Sequence, residues 1–196
     1  MPEHLNHYIS LDAAETEDRG DDTFMVVWGV SVTGRVYAVD IWHGQVTTDV
    51  WTNELIDRVA RFQPLALVPE HDNIFKAVEP FIRQQMRKRN ARAMIAPMPH
   101  GGRSKEVRAQ AFQGIAAMGD VSIPDTPAGE YLLDQLLKFP AGRHDDGVDA
   151  CAALGRYLHK IWEATPPRPE QKPPPLLPQS SIRLEDYAPK KTAQAW

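Results

Sequence analysis

The sequence predicts an α/β fold in which one mixed β-sheet is flanked by helices. Three observations predict this class. The first part of the chain contains three segments rich in β-branched and aromatic residues, separated by polar or glycine-containing stretches. The next part alternates short apolar runs with longer segments whose apolar residues recur at helical spacing. The last such segment is a long amphipathic helix with an acidic first turn.

The first three segments predict three antiparallel strands. One strand ends at Asp12 in YISLDAA, and the polar stretch AAETEDRGDDT follows it as a loop. The segments FMVVWGVSV and RVYAVDIW are separated by a turn at Thr33-Gly34. Residues 23–42 are therefore predicted to form a β-hairpin that joins the first strand.

The central part of the chain predicts helices that alternate with buried strands. Helical spacing from residue 48 to residue 62 predicts a helix. The runs LALV (65–68) and AMIAPM (93–98) are typical of strands buried on both faces. Between them a helix is predicted at 74–89, and Pro80 is expected to disturb its middle. The remaining predicted elements are a helix at 105–118, a short edge segment at 121–124, and helices at 131–139 and 145–162.

Length and composition indicate one core domain and exclude several classes of protein. Residues 1–164 suffice for one well-buried domain, whereas 165–196 begin with TPPRPEQKPPPLLPQ and are predicted to be a proline-rich tail. No apolar run approaches the roughly 20 residues that span a membrane, and no signal-peptide pattern is present, which predicts a cytoplasmic protein. The single Cys151 is predicted to be a core residue, and the seven histidines show no zinc-ligand spacing.

Acidic residues stand where three of these elements begin or end. Asp12 and Glu70 follow apolar runs that read as strands, and Asp145 and Asp146 open the last helix. Taken singly, each has an ordinary interpretation as a strand end, a loop start or a helix cap. Taken together they favour a site for divalent metal, because clustered carboxylates repel one another and hard cations prefer oxygen ligands.

Several motifs together resemble a known family. They are LDAAETEDRGDDT, LVPEHDN, KEVRA, GDVSIP and, most specifically, DQLLKFPAGRHDDGVDA. Over about residues 7–160 the sequence resembles the C-terminal nuclease domain of the large terminase subunit of tailed bacteriophages. The resemblance implies a ribonuclease H-like fold and a metal-dependent endonuclease that hydrolyses DNA phosphodiester bonds.

The resemblance also implies roles for the acidic residues. Asp12, Glu70 and Asp146 correspond to the catalytic, metal-binding triad, and Asp145 is a further ligand or a group just behind the ligands. Asp149 lies one turn along the helix, where it either touches a metal or positions a basic neighbour. The implied cofactors are two Mg2+ or Mn2+ ions, which activate a water and stabilise the leaving 3′-oxygen.

Basic residues near the predicted site are candidates for contacting double-stranded DNA. Arg103, Lys105 and Arg108 surround a Gly-Gly loop that permits a close approach to a phosphate backbone. His144 donates a hydrogen bond to phosphate, holds Asp145, or is a structural histidine that flanks the helix. A second basic cluster, between residues 83 and 92, is more typical of a solvated helix face.

The family implies a nuclease that cuts concatemeric phage DNA during genome packaging in the host cytoplasm. Its expected partners are a packaging ATPase, in the same chain or in another, a portal and a small terminase subunit, and no membrane. Two alternatives remain open. The first is a junction resolvase or transposase-like nuclease with the same fold and acids. The second is a non-catalytic assembly module for packaging.

Overall fold

The structure is a computed structural model that describes residues 2–14, 22–71, 73–99 and 101–158. In this part of the chain, six strands form one mixed sheet and five helices flank it, which confirms the predicted α/β class. The strand order is β5-β4-β1-β2-β3-β6. The predicted proline-rich tail, 165–196, and the proposed boundary before it lie outside the described residues. Within the described residues, no helix is long and apolar enough to cross a membrane.

Three antiparallel strands open the fold, as predicted. They are β1 (Asn6–Asp12), β2 (Thr23–Val30) and β3 (Val36–Gly44). Every residue of β2 is buried, because its two faces contact two different hydrophobic clusters. Side chains alternate between the faces, so Phe24 and Trp28 lie in one cluster and Met25 and Val27 in the other. The sheet therefore has helices on both sides.

The next helix has its predicted bounds, and the next strand lies one residue later than predicted. α1 spans Thr48–Phe62, and β4 spans Ala66–Pro69. All four residues of β4 are buried, and β4 lies parallel to β1. The prediction of a strand buried on both faces is confirmed for Ala66–Val68, whereas Leu65 is exposed. A strand with neighbours on each face needs apolar side chains in both directions.

α2 spans Asn73–Lys88 without interruption, so the prediction that Pro80 disturbs this helix is wrong. Proline removes one backbone donor and crowds the preceding turn. Pro80 lies on the exposed side of the helix. The buried residues Phe75 and Ile82 lie on the other side and join the cluster that also includes Leu55 of α1. Packing of that apolar face outweighs the lost hydrogen bond.

The prediction of a second fully buried strand at 93–98 is wrong. Only β5 (Met94–Ile95) is a strand, and it pairs with β4 at the edge of the sheet. Met94 is 56% exposed, and β5 is an edge strand among the described residues. α3 spans Lys105–Ala117, and β6 (Val121–Ser122) is the predicted edge segment, parallel to β3.

The last two helices pack with α3 on one face of the sheet. α4 spans Pro127–Lys138 and begins four residues earlier than predicted, because Thr126 caps it and Pro127 suits the first helical position. α5 spans Asp146–Tyr157 and packs on β1, β2 and β4. Cys151 of α5 is buried in the core as predicted, and burial raises the pKa of its thiol.

Candidate active site

Two of the predicted acids lie at the same end of two neighbouring strands. Asp12 is the last residue of β1, and Glu70 directly follows β4. The backbone N–H of Glu70 donates a hydrogen bond to the carbonyl of Leu11 at 2.9 Å, which continues the pairing of the two strands. By strand alternation Asp12 is on the face of Tyr8 and Glu70 on the face of Val68, and α5 covers that face. The two acids therefore share one edge and one face of the sheet.

The N-terminus of α5 brings three further carboxylates to this end of the sheet. Asp145 precedes the helix, Asp146 is its first residue, and Asp149 lies in the first turn. The side chain of Asp145 makes no capping hydrogen bond, so the alternative in which it caps the helix is not realised. Asp146 and Asp149 are only 3% and 5% exposed. Acids buried to this degree need compensating partners.

Two glycines of α5 allow it to lie against its neighbours closely enough to fix these acids. The N–H of Gly147 donates a hydrogen bond to Oε1 of Gln135, on α4, at 2.8 Å. A Cβ at position 147 would lie 2.8 Å from that oxygen and from Cδ1 of Leu132. At Gly155 a Cβ would lie 2.7 Å from the backbone nitrogen of Phe112, on α3. Side chains larger than hydrogen would separate α5 from α3 and α4.

α3 supplies the basic side chains that pair with the acids. Nζ of Lys105 lies 2.7 Å from Oδ2 of Asp145 and also forms an ion pair with Asp149. Arg108 forms an ion pair with Glu70, and its Nη2 lies 3.2 Å from Oδ1 of Asp149. Arg108 is only 6% exposed. Lys105 and Arg108, two of the four residues predicted to contact DNA, thus neutralise acids of the site. Their contact with DNA stays a prediction.

The pKa shifts follow from this arrangement of charges. Burial raises the pKa of Asp149, while the hydrogen bond and charge of Lys105 and the charge of Arg108 act against that rise. For Lys105, burial acts to lower the pKa, but the hydrogen bonds and charges of Asp145 and Asp149 outweigh burial and raise it. Lys105 is therefore a permanent cation of the site at neutral pH, and the ionised form of Asp149 depends on its two basic neighbours.

The other two predicted DNA-binding residues lie beside this cluster. Arg103 is exposed in the segment between the Gly101-Gly102 turn and α3, and both glycines have positive φ, 64° and 67°. His144 is half-buried and directly precedes Asp145. The contact of Arg103 and His144 with DNA remains a prediction.

Sequence reasoning missed a second group of residues at the same end of the sheet. The backbone N–H of Asp22 donates a hydrogen bond to Oδ2 of Asp146 at 3.2 Å. The carboxylate of Asp22 lies 3.1 Å from Nδ1 of His43 and accepts a hydrogen bond from the Tyr131 hydroxyl at 3.3 Å. Asp22 stood in a stretch interpreted as a loop, and its position directly before a strand was the available signal. His43 carried no signal in the sequence, because its position depends on strand register.

The donor set fits a hard cation, although the acids are paired with bases in this structure. Across the described ranges, no group of three or more His, Cys, Asp or Glu side chains is arranged to hold a metal ion. The basic groups of Lys105 and Arg108 lie among the carboxylates instead. All candidate ligands are carboxylates, which Mg2+ and Mn2+ prefer. Oδ1 of Asp149 is buried and makes no hydrogen bond, only the ion pair with Arg108, so it retains capacity to bind a cation.

The family of the chain follows from its sequence. Residues 9–155 match the family model described as the terminase RNaseH-like domain. The chain belongs to this family. Its fold is therefore ribonuclease H-like, as the motifs implied, and membership of the family supports a nuclease.

Solved structures with a similar chain path include two of a fowlpox virus protein. The crystal structure of the fowlpox virus Holliday junction resolvase is 15% identical with a TM-score of 0.48, and the match covers 79% of this chain and 99% of that chain. The complex of the fowlpox virus resolvase with its substrate Holliday junction DNA is 13% identical with a TM-score of 0.46, and the match covers 79% and 97%. No curated protein matches the sequence.

Proposed function

We propose that this chain is a divalent-metal-dependent DNA endonuclease of the large terminase subunit, which cuts concatemeric phage DNA during packaging. One observation carries the proposal. Asp12 and Glu70 share one edge of the sheet of a terminase RNaseH-like domain, and the acidic first turn of α5 packs across the same strands. Acids gathered from three separate elements repel one another, and bound divalent cations would offset that repulsion.

The acids of the site would hold two Mg2+ or Mn2+ ions. Asp12, Glu70 and Asp146 are proposed as the catalytic ligands, with Asp145 and Asp149 at their side. When bound, such ions lower the pKa of a water for in-line attack and stabilise the leaving 3′-oxygen. The sheet edge and α5 hold the carboxylates in position, so that little rearrangement of the backbone is needed on binding.

Lys105 and Arg108 are proposed to exchange partners when the site is loaded. In this structure they neutralise Glu70, Asp145 and Asp149. With two divalent ions bound, the same acids would no longer need Lys105 and Arg108 as counter-ions. The released side chains lie on the helix that follows Arg103, where they can contact phosphates of the substrate. The proposed DNA contacts are thus Arg103, Lys105, Arg108 and His144.

The family also suggests the biological setting. We propose that the domain acts on double-stranded DNA in the host cytoplasm together with a packaging ATPase, a portal and a small terminase subunit. A packaging nuclease is expected to show little sequence preference, because its reactive contacts are to phosphates and not to base edges.

Plasmid nicking tests the proposal. The purified chain should nick supercoiled plasmid with Mn2+ or Mg2+ and not with EDTA. Asp12→Asn should abolish nicking, while the matched control Asp57→Asn should not, because Asp57 is a highly exposed residue of α1 on the opposite face of the sheet. Nicking in EDTA, or an active Asp12→Asn variant, would contradict the metal mechanism.

The same samples distinguish the alternatives. A junction resolvase would cleave a four-way DNA junction in preference to a linear duplex, whereas a packaging nuclease would not. A non-catalytic assembly module would neither nick DNA nor bind Mn2+ in isothermal titration calorimetry.

A further inference from the structure

A histidine at the end of β3 extends the proposed site across the sheet. The pairing registers place Asp12 opposite Phe24, and Phe24 opposite His43. Directly paired residues of antiparallel strands project to the same face. The three residues therefore form a row, with the Cα atoms of Asp12 and His43 about 10 Å apart for a strand spacing near 4.8 Å.

The His43 ring is held by contacts on several sides. It stacks on Phe24 with 5.4 Å between ring centroids and an interplanar angle of 12°. The Tyr131 ring, from α4, lies 4.4 Å away at 30°. Nδ1 of the imidazole lies 3.1 Å from Oδ2 of Asp22. The side chain is nevertheless 31% exposed, so the ring is fixed in orientation and open to a ligand.

The same contacts tie His43 to the acids. The carboxylate of Asp22 contacts the imidazole, and the backbone N–H of Asp22 donates a hydrogen bond to the carboxylate of Asp146. One residue thus sets the distance between the ring and the first turn of α5. Tyr131 donates a hydrogen bond to the same carboxylate, and Asp22 is 8% exposed, so the connection is largely removed from water.

We propose that His43 binds a backbone phosphate of the DNA, near the phosphate that is cut. Because Nδ1 is engaged with Asp22, Nε2 is the nitrogen through which the ring contacts a ligand. In its protonated form the ring donates a hydrogen bond from each nitrogen, and a phosphate oxygen is a strong acceptor. A separation of about 10 Å from Asp12 corresponds to a phosphate within about three nucleotides along one strand. This inference rests on the proposed nuclease function.

The salt dependence of DNA binding tests the proposal. The parent for this test is the Asp12→Asn variant, which is expected not to cut DNA. Fluorescence anisotropy with a labelled duplex would compare the DNA affinity of this parent with that of the same variant carrying His43→Gln. Loss of one phosphate contact should lower the slope of log K against log salt by about 1. Between about 50 and 200 mM salt the variant should lose on the order of threefold less affinity than the parent. His43→Lys, which places a positive charge at this position, should restore the parent slope.

Two controls separate contact with DNA from a structural role. His7→Gln makes the same change near the opposite end of β1, where the ring packs on Phe62, and should leave the slope unchanged. Asp22→Asn keeps the backbone N–H to Asp146 and removes the carboxylate partner of His43, so it should weaken binding without loss of the ring. If His43→Gln melts much earlier than its parent, the comparison rests on Asp22→Asn and His43→Lys.

These measurements distinguish failure of the His43 contact from failure of the proposed nuclease function. If the wild type nicks plasmid and binds DNA but His43→Gln and His43→Lys share the parent slope, the His43 contact is refuted and the nuclease stands. If the wild type neither binds DNA nor nicks it with Mn2+, both fail together. A lower slope in His43→Gln alone, restored by lysine, supports the contact.

Discussion

Replacement of Arg108 by methionine is expected to make the stability of the domain depend on divalent metal. The guanidinium group is 6% exposed and pairs with the buried carboxylates of Glu70 and Asp149. Methionine fills similar space but leaves both acids without that cation. Removal of one partner from a buried ion pair costs about 3–5 kcal/mol, because the remaining charge stays in a poorly solvated place.

The expected loss is large enough to measure by thermal melting. One kcal/mol corresponds to roughly 2–4 °C in a domain of this size, so the melting temperature in EDTA should fall by roughly 6–20 °C. Mn2+ bound among the same acids replaces the lost positive charge and should recover most of this difference. In the wild type the same ion has to displace Arg108, so Mn2+ should raise the melting temperature less and bind more weakly.

Differential scanning fluorimetry with EDTA and with increasing Mn2+ measures both effects, and calorimetry gives the two affinities. Arg103→Met is the matched control, because Arg103 is an exposed residue shortly before the same helix. Equal melting temperatures of Arg108→Met and wild type in EDTA would refute the argument about buried charge. A fall that Mn2+ does not reverse would show that the ion does not bind among these acids.

Three further predictions concern other parts of the molecule. Asp12→Asn should leave the melting temperature in EDTA unchanged or slightly higher while cleavage is lost, because the change removes repulsion between acids and keeps the size of the side chain; a destabilised but active variant would contradict this. Cys151, the single cysteine, is buried with a raised pKa, so a thiol reagent should label it only after unfolding in urea, as mass spectrometry would show. Gly147→Ala should destabilise the domain by about 1–3 kcal/mol in urea unfolding, since overpacking forces α5 away from α4, whereas a neutral effect would mean that the helices adjust freely.

The hydrophobic pattern of the sequence was sufficient to predict those helices and strands whose apolar residues are buried where they lie. The helix predicted at 48–62 has the observed bounds, because its buried apolar residues face one cluster. The run at 65–68 was recognised as a buried strand for a similar reason. The run at 93–98 was not distinguishable from it, since an edge strand and a central strand differ only in their neighbours. In the described part of the chain β5 is an edge strand, and Met94 is exposed there.

The candidate site was predictable only where sequence order implies spatial order. Asp12 and Glu70 meet because parallel neighbouring strands end at one edge, and that follows from the order of elements. The contacts of Lys105 and Arg108 depend on how closely α3 lies against α5, which no local pattern encodes. His43 depends on the register of three strands, and a shift of one residue would have moved it to the other face.

The hydrogen bond between Asp22 and Asp146 joins residues 124 positions apart. Contacts that close so long a loop form late in folding, whereas the hairpin of β2 and β3 forms from neighbouring sequence. During synthesis on the ribosome, the strand ends would emerge well before α5, the last of the described helices, could dock on them. A nuclease assembled in this order would stay inactive as a nascent chain and would become competent to cut DNA only once α5 has folded against the sheet.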